Sequence, residues 1–80
     1  MGKKEAVISL LDGVIKDRGV PKNVKSSVEE ALDILRNPNA NNIKIAETVS
    51  ILDEVTNDPN LSVYTRTVLW DAVSKLEALK

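Results

Sequence analysis

Apolar residues recur at intervals of three and four along almost the whole chain, and no long stretch alternates with a period of two. This spacing predicts an all-α protein, because it places the apolar side chains on one face of each helix. Clusters of turn-forming residues separate four such segments. The predicted helices cover about Lys4–Arg18, Pro21–Arg36, Asn42–Thr56 and Val63–Leu79. The centres of the apolar stripes predict seven core residues: Leu11, Val28, Leu32, Leu52, Leu69, Val73 and Leu76.

The residues between the segments predict how each helix begins and ends. Gly19 is expected to end helix 1 in a left-handed turn, and Pro21 suits the first turn of helix 2. Asn37 stands before a proline and therefore ends helix 2. The asparagines that follow it offer caps for helix 3, and Ser62 is the predicted N-cap of helix 4.

The second half of the chain repeats the first at an offset of 41 residues. When Ile8–Leu35 is aligned with Val49–Leu76, seven of the 28 pairs are identical. Shared apolar spacing does not explain charged pairs such as Asp17 with Asp58. An offset of 41 residues lies within the period of HEAT and armadillo repeats, roughly 40–47 residues. We therefore expect two helical hairpins of similar structure.

These hairpins, over about 4–36 and 42–79, form one predicted helical domain over 1–80. Two HEAT-like units are fewer than an array needs to bury a continuous core. The hairpins are therefore expected either to close on each other as a compact four-helix bundle or to stack as a short α-α superhelix. The second arrangement would leave an apolar end face for a partner to cover.

Two strings of the sequence resemble the uncharacterised protein family 0147, a group of small archaeal helical proteins. They are SILDEVTNDPNLSVYTRTVLW, which contains Asn57–Asn60, Arg66, Thr67 and Trp70, and VPKNVK after helix 1. The resemblance extends over nearly the whole chain. It implies an all-helical fold and carries no assigned activity.

The composition excludes several kinds of catalytic and metal site. The chain has no His and no Cys, which removes disulfides, thiolate nucleophiles, Cys/His zinc sites and histidine general bases. Asp53, Glu54 and Asp58 gather near the end of helix 3, but they lack the spacing of an EF-hand. We interpret them as structural, with Asp58 capping helix 4. We expect no enzymatic activity, no cofactor and no metal ion.

The first residues, MGKKEAVISLLDG, are too short and too amphipathic for a signal peptide or a membrane span. Gly2 lacks the Ser or Thr that a myristoylation motif requires, since Ala6 stands at that position. We therefore expect a cytoplasmic protein without membrane contact.

Helix 4 carries apolar residues on more than one face, which one stripe cannot bury. Its candidate interface residues are Val63, Tyr64, Arg66 and Trp70. Trp70 is expected either at the edge of the core or as an interface anchor, since Trp is enriched at binding hot spots. Arg66 is expected either to bind a phosphate or a partner's carboxylate, or to clamp Asp53 or Asp58 within the hairpin. The repeat predicts a similar contact of Lys25 with Asp17. The predicted partner is a protein or a second copy of the chain, as in a homodimer.

Positive charge is concentrated near the first turn. Residues 1–25 hold six cations and three acids, although the net charge of the whole chain is −1. The candidate contacts for nucleic acid or another anion are Lys16, Arg18, Lys22 and Lys25. The alternative is a solvated turn, because cations are also favourable at the end of helix 1. The leading hypothesis is a non-enzymatic protein–protein interaction module or homo-oligomer, and the other is an RNA- or ribosome-associated accessory protein that uses the basic turn Lys16–Lys25.

Overall fold

The computed structural model describes residues 2–79 and confirms the all-α prediction. Its four helices are α1 (Lys3–Lys16), α2 (Lys22–Arg36), α3 (Asn42–Thr56) and α4 (Val63–Glu77). The range predicted for α3 is correct. The predictions for α1 and α4 each run two residues too far, and α2 begins one residue later than predicted because Pro21 is its N-cap.

The four helices form a closed ring in which each helix packs against the next and α4 packs back against α1. Within residues 2–79, the Cα atoms of the diagonal pairs, α1 with α3 and α2 with α4, stay more than 8 Å apart. The two hairpins therefore close on each other, with α1 along α4 and α2 along α3. Of the two predicted arrangements, the compact four-helix bundle is the observed one, and it measures 32 × 23 × 19 Å.

The core consists of the apolar stripes that all four helices turn inward. Its largest fully buried side chains are Leu11, Leu32, Leu35, Leu52, Leu69 and Leu76. Six of the seven predicted core residues are buried, whereas Val73 is only partly buried and packs against the core from its edge. Burial of each such side chain stabilises the fold by about 1.5–3 kcal/mol, so these stripes dominate the folding free energy.

The three connections between helices share one hydrogen-bonded turn. In each, the side-chain Oδ1 of an Asp or Asn accepts a hydrogen bond from the backbone N–H two residues later. The three distances are 2.8, 2.9 and 2.8 Å. The pairs are Asp17 with Gly19, Asn37 with Asn39, and Asp58 with Asn60. This side-chain turn ends α1 at Lys16. The predicted left-handed conformation of Gly19 is wrong, because no residue of 2–79 has a positive φ.

Two helix N-termini carry the predicted side-chain caps. Asn41 accepts a hydrogen bond from Lys44 N at 3.0 Å, and Ser62 accepts one from Thr65 N at 3.1 Å. The prediction that Asp58 caps α4 is wrong, because Ser62 holds that position. Asp58 instead stabilises the preceding turn and accepts a second hydrogen bond from Asn23 Nδ2 at 3.1 Å.

The 41-residue repeat of the sequence is present as a pseudo-two-fold relation between the hairpins. α2 and α4 begin 41 residues apart and end 41 residues apart, and the ends of α1 and α3 agree within two residues of that offset. Positions 41 residues apart, here called pseudo-equivalent, are buried together in eight pairs. These pairs are Val7/Thr48, Leu11/Leu52, Val14/Val55, Val20/Leu61, Val24/Thr65, Val28/Leu69, Ala31/Ala72 and Leu35/Leu76.

Candidate functional site

The solvent-facing side of α4 exposes a tryptophan and a valine. Val63 is 77% exposed and Trp70 is 56% exposed. They are seven residues apart, which is about two helical turns, so they lie on the same face with the exposed Thr67 between them. We call these three residues the α4 face. The placement of Trp70 at the edge of the core is therefore wrong, and the interface interpretation stays open.

Tyr64 does not belong to the α4 face, although it was predicted to join the same interface. It is 74% exposed and lines a groove of about 240 Å³ between α1 and α4, together with Leu10, Val14 and Asp17. One residue advances a helix by about 100°, so neighbouring side chains point in different directions. The sequence grouped Tyr64 with Val63 by proximity along the chain, and the helix separates them.

Arg66 joins α4 to the end of α3. Its Nε donates a hydrogen bond to the carbonyl oxygen of Thr56, and its Nη2 donates to that of Asp58, both at 3.0 Å. The predicted clamp on Asp58 therefore exists, with the backbone carbonyl of Asp58 as the acceptor, and the second acceptor belongs to Thr56 instead of Asp53. The last carbonyls of a helix lack intrahelical partners and carry partial negative charge, which explains why a guanidinium binds there.

Lys25 is pseudo-equivalent to Arg66 but does not reproduce this clamp. Within residues 2–79 its ammonium group forms neither a hydrogen bond nor an ion pair, so the predicted contact with Asp17 is wrong. The carboxylate of Asp17 instead accepts the N–H of Gly19. The two hairpins thus differ at this position, although the sequence places a cation there in both.

The four candidate cations of the first turn fall into two groups. Lys16 forms an ion pair with Asp12, with 2.8 Å between Nζ and Oδ2. That hydrogen bond from Lys16 holds the pKa of Asp12 below its usual value. Arg18, Lys22 and Lys25 form no ion pair with any part of the chain that the structure describes.

The candidate interface residues of α4 and the candidate cations of the first turn begin at the same end of the bundle. The turns over 17–21 and 57–62 lie there, and the hydrogen bond from Asn23 to Asp58 joins them directly. Lys22 of α2 is pseudo-equivalent to Val63 of α4, so one hairpin presents a cation where the other presents an apolar side chain. Lys22 and Val63 are 41 residues apart in the sequence, and the fold brings them to one end of the bundle.

A third surface was missed by the sequence interpretation. A shallow groove of about 510 Å³ runs between α2 and α3. We call it the α2–α3 groove, and its lining includes Ile34, Ile43, Ala46 and Ile51, with Glu30 and Glu47. Ile43 is 70% exposed. The sequence does contain a signal for the exposure of Ile43. Ile43 and the buried Ile45 are two residues apart, so they cannot lie on the same stripe of a helix.

The acidic residues near the end of α3 do not converge on one point. Asp53 and Glu54 are exposed, and Asp58 holds the turn. Within residues 2–79, no group of three or more acidic side chains is placed to hold a metal ion. In the same part of the chain, no helix is long and apolar enough to cross a membrane.

Comparison with known sequences identifies the family. The model of an uncharacterised protein family, UPF0147, matches residues 2–79. The chain belongs to UPF0147. A UPF0147 protein from Methanothermobacter thermautotrophicus is 40% identical over 75 residues, which are 92% of this chain and 74% of the relative. UPF0147 protein MJ1419 from Methanocaldococcus jannaschii is 38% identical over 95% of this chain and 83% of its own length.

Solved structures share the fold. A crystal structure of a UPF0147 protein from Thermoplasma acidophilum has a TM-score of 0.91 and 38% sequence identity, and the match covers 98% of this chain and 93% of that one. A crystal structure of MMP1188, a protein of unknown function, has a TM-score of 0.89 and 32% identity, with coverage of 98% and 90%. The resemblance to family 0147 seen in the sequence is therefore confirmed, as is its helical fold.

Proposed function

We propose that this UPF0147 protein is a small non-enzymatic interaction module that binds another protein chain through the α4 face. The observation that carries the proposal is the exposure of Trp70, of which more than half is open to solvent. Tryptophan is enriched at the energetic centres of protein interfaces, where a partner removes it from water. A second copy of the chain is the simplest partner, because a two-fold interface uses the same patch on both copies.

The pseudo-two-fold relation supports a role for this face beyond folding. At the positions of α2 that correspond to Val63 and Trp70, the chain carries Lys22 and Glu29, and both are exposed. The bundle thus tolerates charged residues at these places. The apolar pair on α4 is therefore better explained by a partner than by packing within the chain.

The absence of several catalytic groups supports the non-enzymatic part of the proposal. The sequence contains no His and no Cys, which are the common general base and the thiolate nucleophile of enzymes. The lowered pKa of Asp12 has an ordinary cause, which is its hydrogen bond and ion pair with Lys16 at the surface.

Sedimentation equilibrium at high micromolar concentration tests the proposal. The test variants are Val63→Lys and Trp70→Glu, which introduce the residue types found at the pseudo-equivalent positions of α2, so the fold should be retained. Circular dichroism checks the helix content of each variant. Ser9→Glu is the matched control, because Ser9 is an exposed helical residue on α1.

The wild type and the Ser9→Glu control should form a dimer that both α4 variants weaken by at least about tenfold. A wild type that stays monomeric would contradict self-association. A dimer that is equally strong in all four proteins would show that the chain associates through another surface.

Nucleic-acid binding at the first turn is the second candidate function. It is favoured by Arg18, Lys22 and Lys25, which form no ion pair within residues 2–79. Three phosphate contacts to single-stranded RNA predict a slope of about −2 for the logarithm of affinity against the logarithm of salt concentration. Fluorescence anisotropy with labelled RNA measures this slope. Replacement of Lys22 and Lys25 by Gln should flatten it, whereas Lys75→Gln, at a cation already paired with Asp71, should not.

A further inference from the structure

The α2–α3 groove is an exposed apolar surface separate from the α4 face. We propose that the α2–α3 groove binds an amphipathic helix of another protein whose apolar stripe is flanked by Lys or Arg. The inference follows from the apolar lining of the groove, its difference from the pseudo-equivalent surface, its shape and the charge at its edge.

The first argument is the exposure of aliphatic side chains along the groove. Ile43 is exposed, and Ile34 and Ile51 are only partly buried. Together with Ala46 they form one lining of neighbouring apolar groups. No part of the described chain covers Ile43, although burial of such a side chain is favourable. A contiguous apolar surface of this kind is typical of an interaction site.

The second argument is that the fold does not require this apolar lining. The pseudo-equivalent surface lies between α4 and α1. It carries Lys75 in place of Ile34, and Glu5 in place of Ala46. Lys75 there forms an ion pair with Asp71, with 2.8 Å between Nζ and Oδ1. Two aliphatic positions of the groove are thus charged on the other side of the bundle, whereas Ile51 corresponds to the apolar Leu10, and core packing does not explain the two differences.

The shape of the groove favours a helix as the occupant. It follows the line between two antiparallel helices, and its volume of about 510 Å³ is spread over a shallow surface. Such a surface matches the ridge of side chains on a third helix, whose residues at i, i+3, i+4 and i+7 fall into the space between the first two.

The acidic side chains at the edge of the groove indicate which residues should flank the apolar stripe of the bound helix. Glu30 is exposed and forms no ion pair within residues 2–79. Glu47 lies 3.5 Å from Lys44, and both side chains are about half exposed, so that pair is weak. A helix with Lys or Arg beside its apolar stripe would place cations next to Glu30 and Glu47, and complementary charge would fix its register.

The α4 face of a second copy does not meet this description. Val63, Thr67 and Trp70 bring no cation, and the neighbouring Arg66 is already bound to the carbonyl oxygens of Thr56 and Asp58. The occupant of the groove is therefore a different protein. The two surfaces can be tested separately because they lie on different helices.

The test uses two labelled synthetic helical peptides with the same leucine stripe, one flanked by lysines and the other by glutamates. Fluorescence anisotropy measures their affinities for the wild type and for Ile43→Ser and Glu30→Lys. Tyr64→Ser is the matched control, because it removes a similarly exposed large side chain near the start of a different helix and outside the α4 face.

The lysine-flanked peptide should bind the wild type at least about tenfold more tightly than the glutamate-flanked one. Ile43→Ser should weaken that binding about tenfold, because it removes a side chain that the peptide buries. Glu30→Lys should weaken it several-fold, and Tyr64→Ser should leave it within about twofold. Equal affinity for the two peptides, or an equal loss in Tyr64→Ser, would overturn the proposal. A dimer that Ile43→Ser dissociates would assign the groove to a second copy and would also overturn it.

Discussion

Replacement of Arg66 by alanine should destabilise the fold more than replacement of any other surface cation. The guanidinium donates two hydrogen bonds, to the carbonyl oxygens of Thr56 and Asp58. A hydrogen bond that involves a charged group stabilises a protein by about 1.5–3 kcal/mol when buried. Because Arg66 is only partly buried, we expect about 2–3 kcal/mol for both bonds together.

This loss is a large fraction of the total stability. A chain of 80 residues has a free energy of unfolding of about 4–12 kcal/mol. With a urea dependence near 1 kcal/mol per molar, typical of a small protein, the midpoint of unfolding should fall by about 2–3 M. Urea titration followed by circular dichroism at 222 nm measures this midpoint.

The pseudo-equivalent lysine supplies the control. The ammonium of Lys25 has no hydrogen-bond partner within residues 2–79, so Lys25→Ala should change stability by less than about 0.5 kcal/mol. Arg66→Lys should recover less than half of the loss, since one ammonium cannot span two carbonyl oxygens as a planar guanidinium does. Equal effects of Arg66→Ala and Lys25→Ala would refute the clamp.

Three further substitutions test the core, a turn and an ion pair. Leu52→Ala should cost about 2–5 kcal/mol in thermal unfolding, because Leu52 is fully buried. Asp58→Ala should cost about 0.5–2 kcal/mol, since it removes the hydrogen bonds with Asn60 and Asn23. Asp12→Asn should make the free energy of unfolding decrease less steeply as the pH is lowered into the acid range. The bond from Lys16 lowers the folded-state pKa of Asp12, so its stabilisation is present above the unfolded value of 3.8 and is lost as the pH falls through the lower folded value.

The sequence predicted the helices well because their stability comes from apolar stripes, and stripes are visible as spacing. The sequence-based prediction was less accurate at the helix ends, where a single side chain determines which residue is the last of the helix. The range given to helix 1 was too long because Asp17 stops α1 with its own carboxylate. Gly19 was assigned a left-handed conformation from its residue type alone, and the Asp17 turn does not need one.

The candidate site was only partly predictable, for geometric reasons. The surplus of apolar residues on helix 4 correctly indicated exposure, and Val63 and Trp70 are exposed. The acceptors of Arg66 are backbone carbonyls, which every residue carries, so no sequence pattern distinguishes them. Ile43 was not predicted as a site residue because it lies outside the apolar stripe of α3, whereas Ile45 lies within that stripe and is buried.

The 41-residue repeat distinguishes positions that folding constrains from exposed positions that are open to a partner. Several pseudo-equivalent pairs that are alike lie in the core, such as Leu11 with Leu52, or in the turns, as Asp17 and Asp58 do. Other pairs exchange a charged for an apolar side chain at exposed positions, such as Glu29 with Trp70. Closure of the two hairpins on each other constrains the core and turn positions, since packing and turn geometry act there. Exposed positions are free to differ between the hairpins, and the α4 face and the α2–α3 groove lie at such positions.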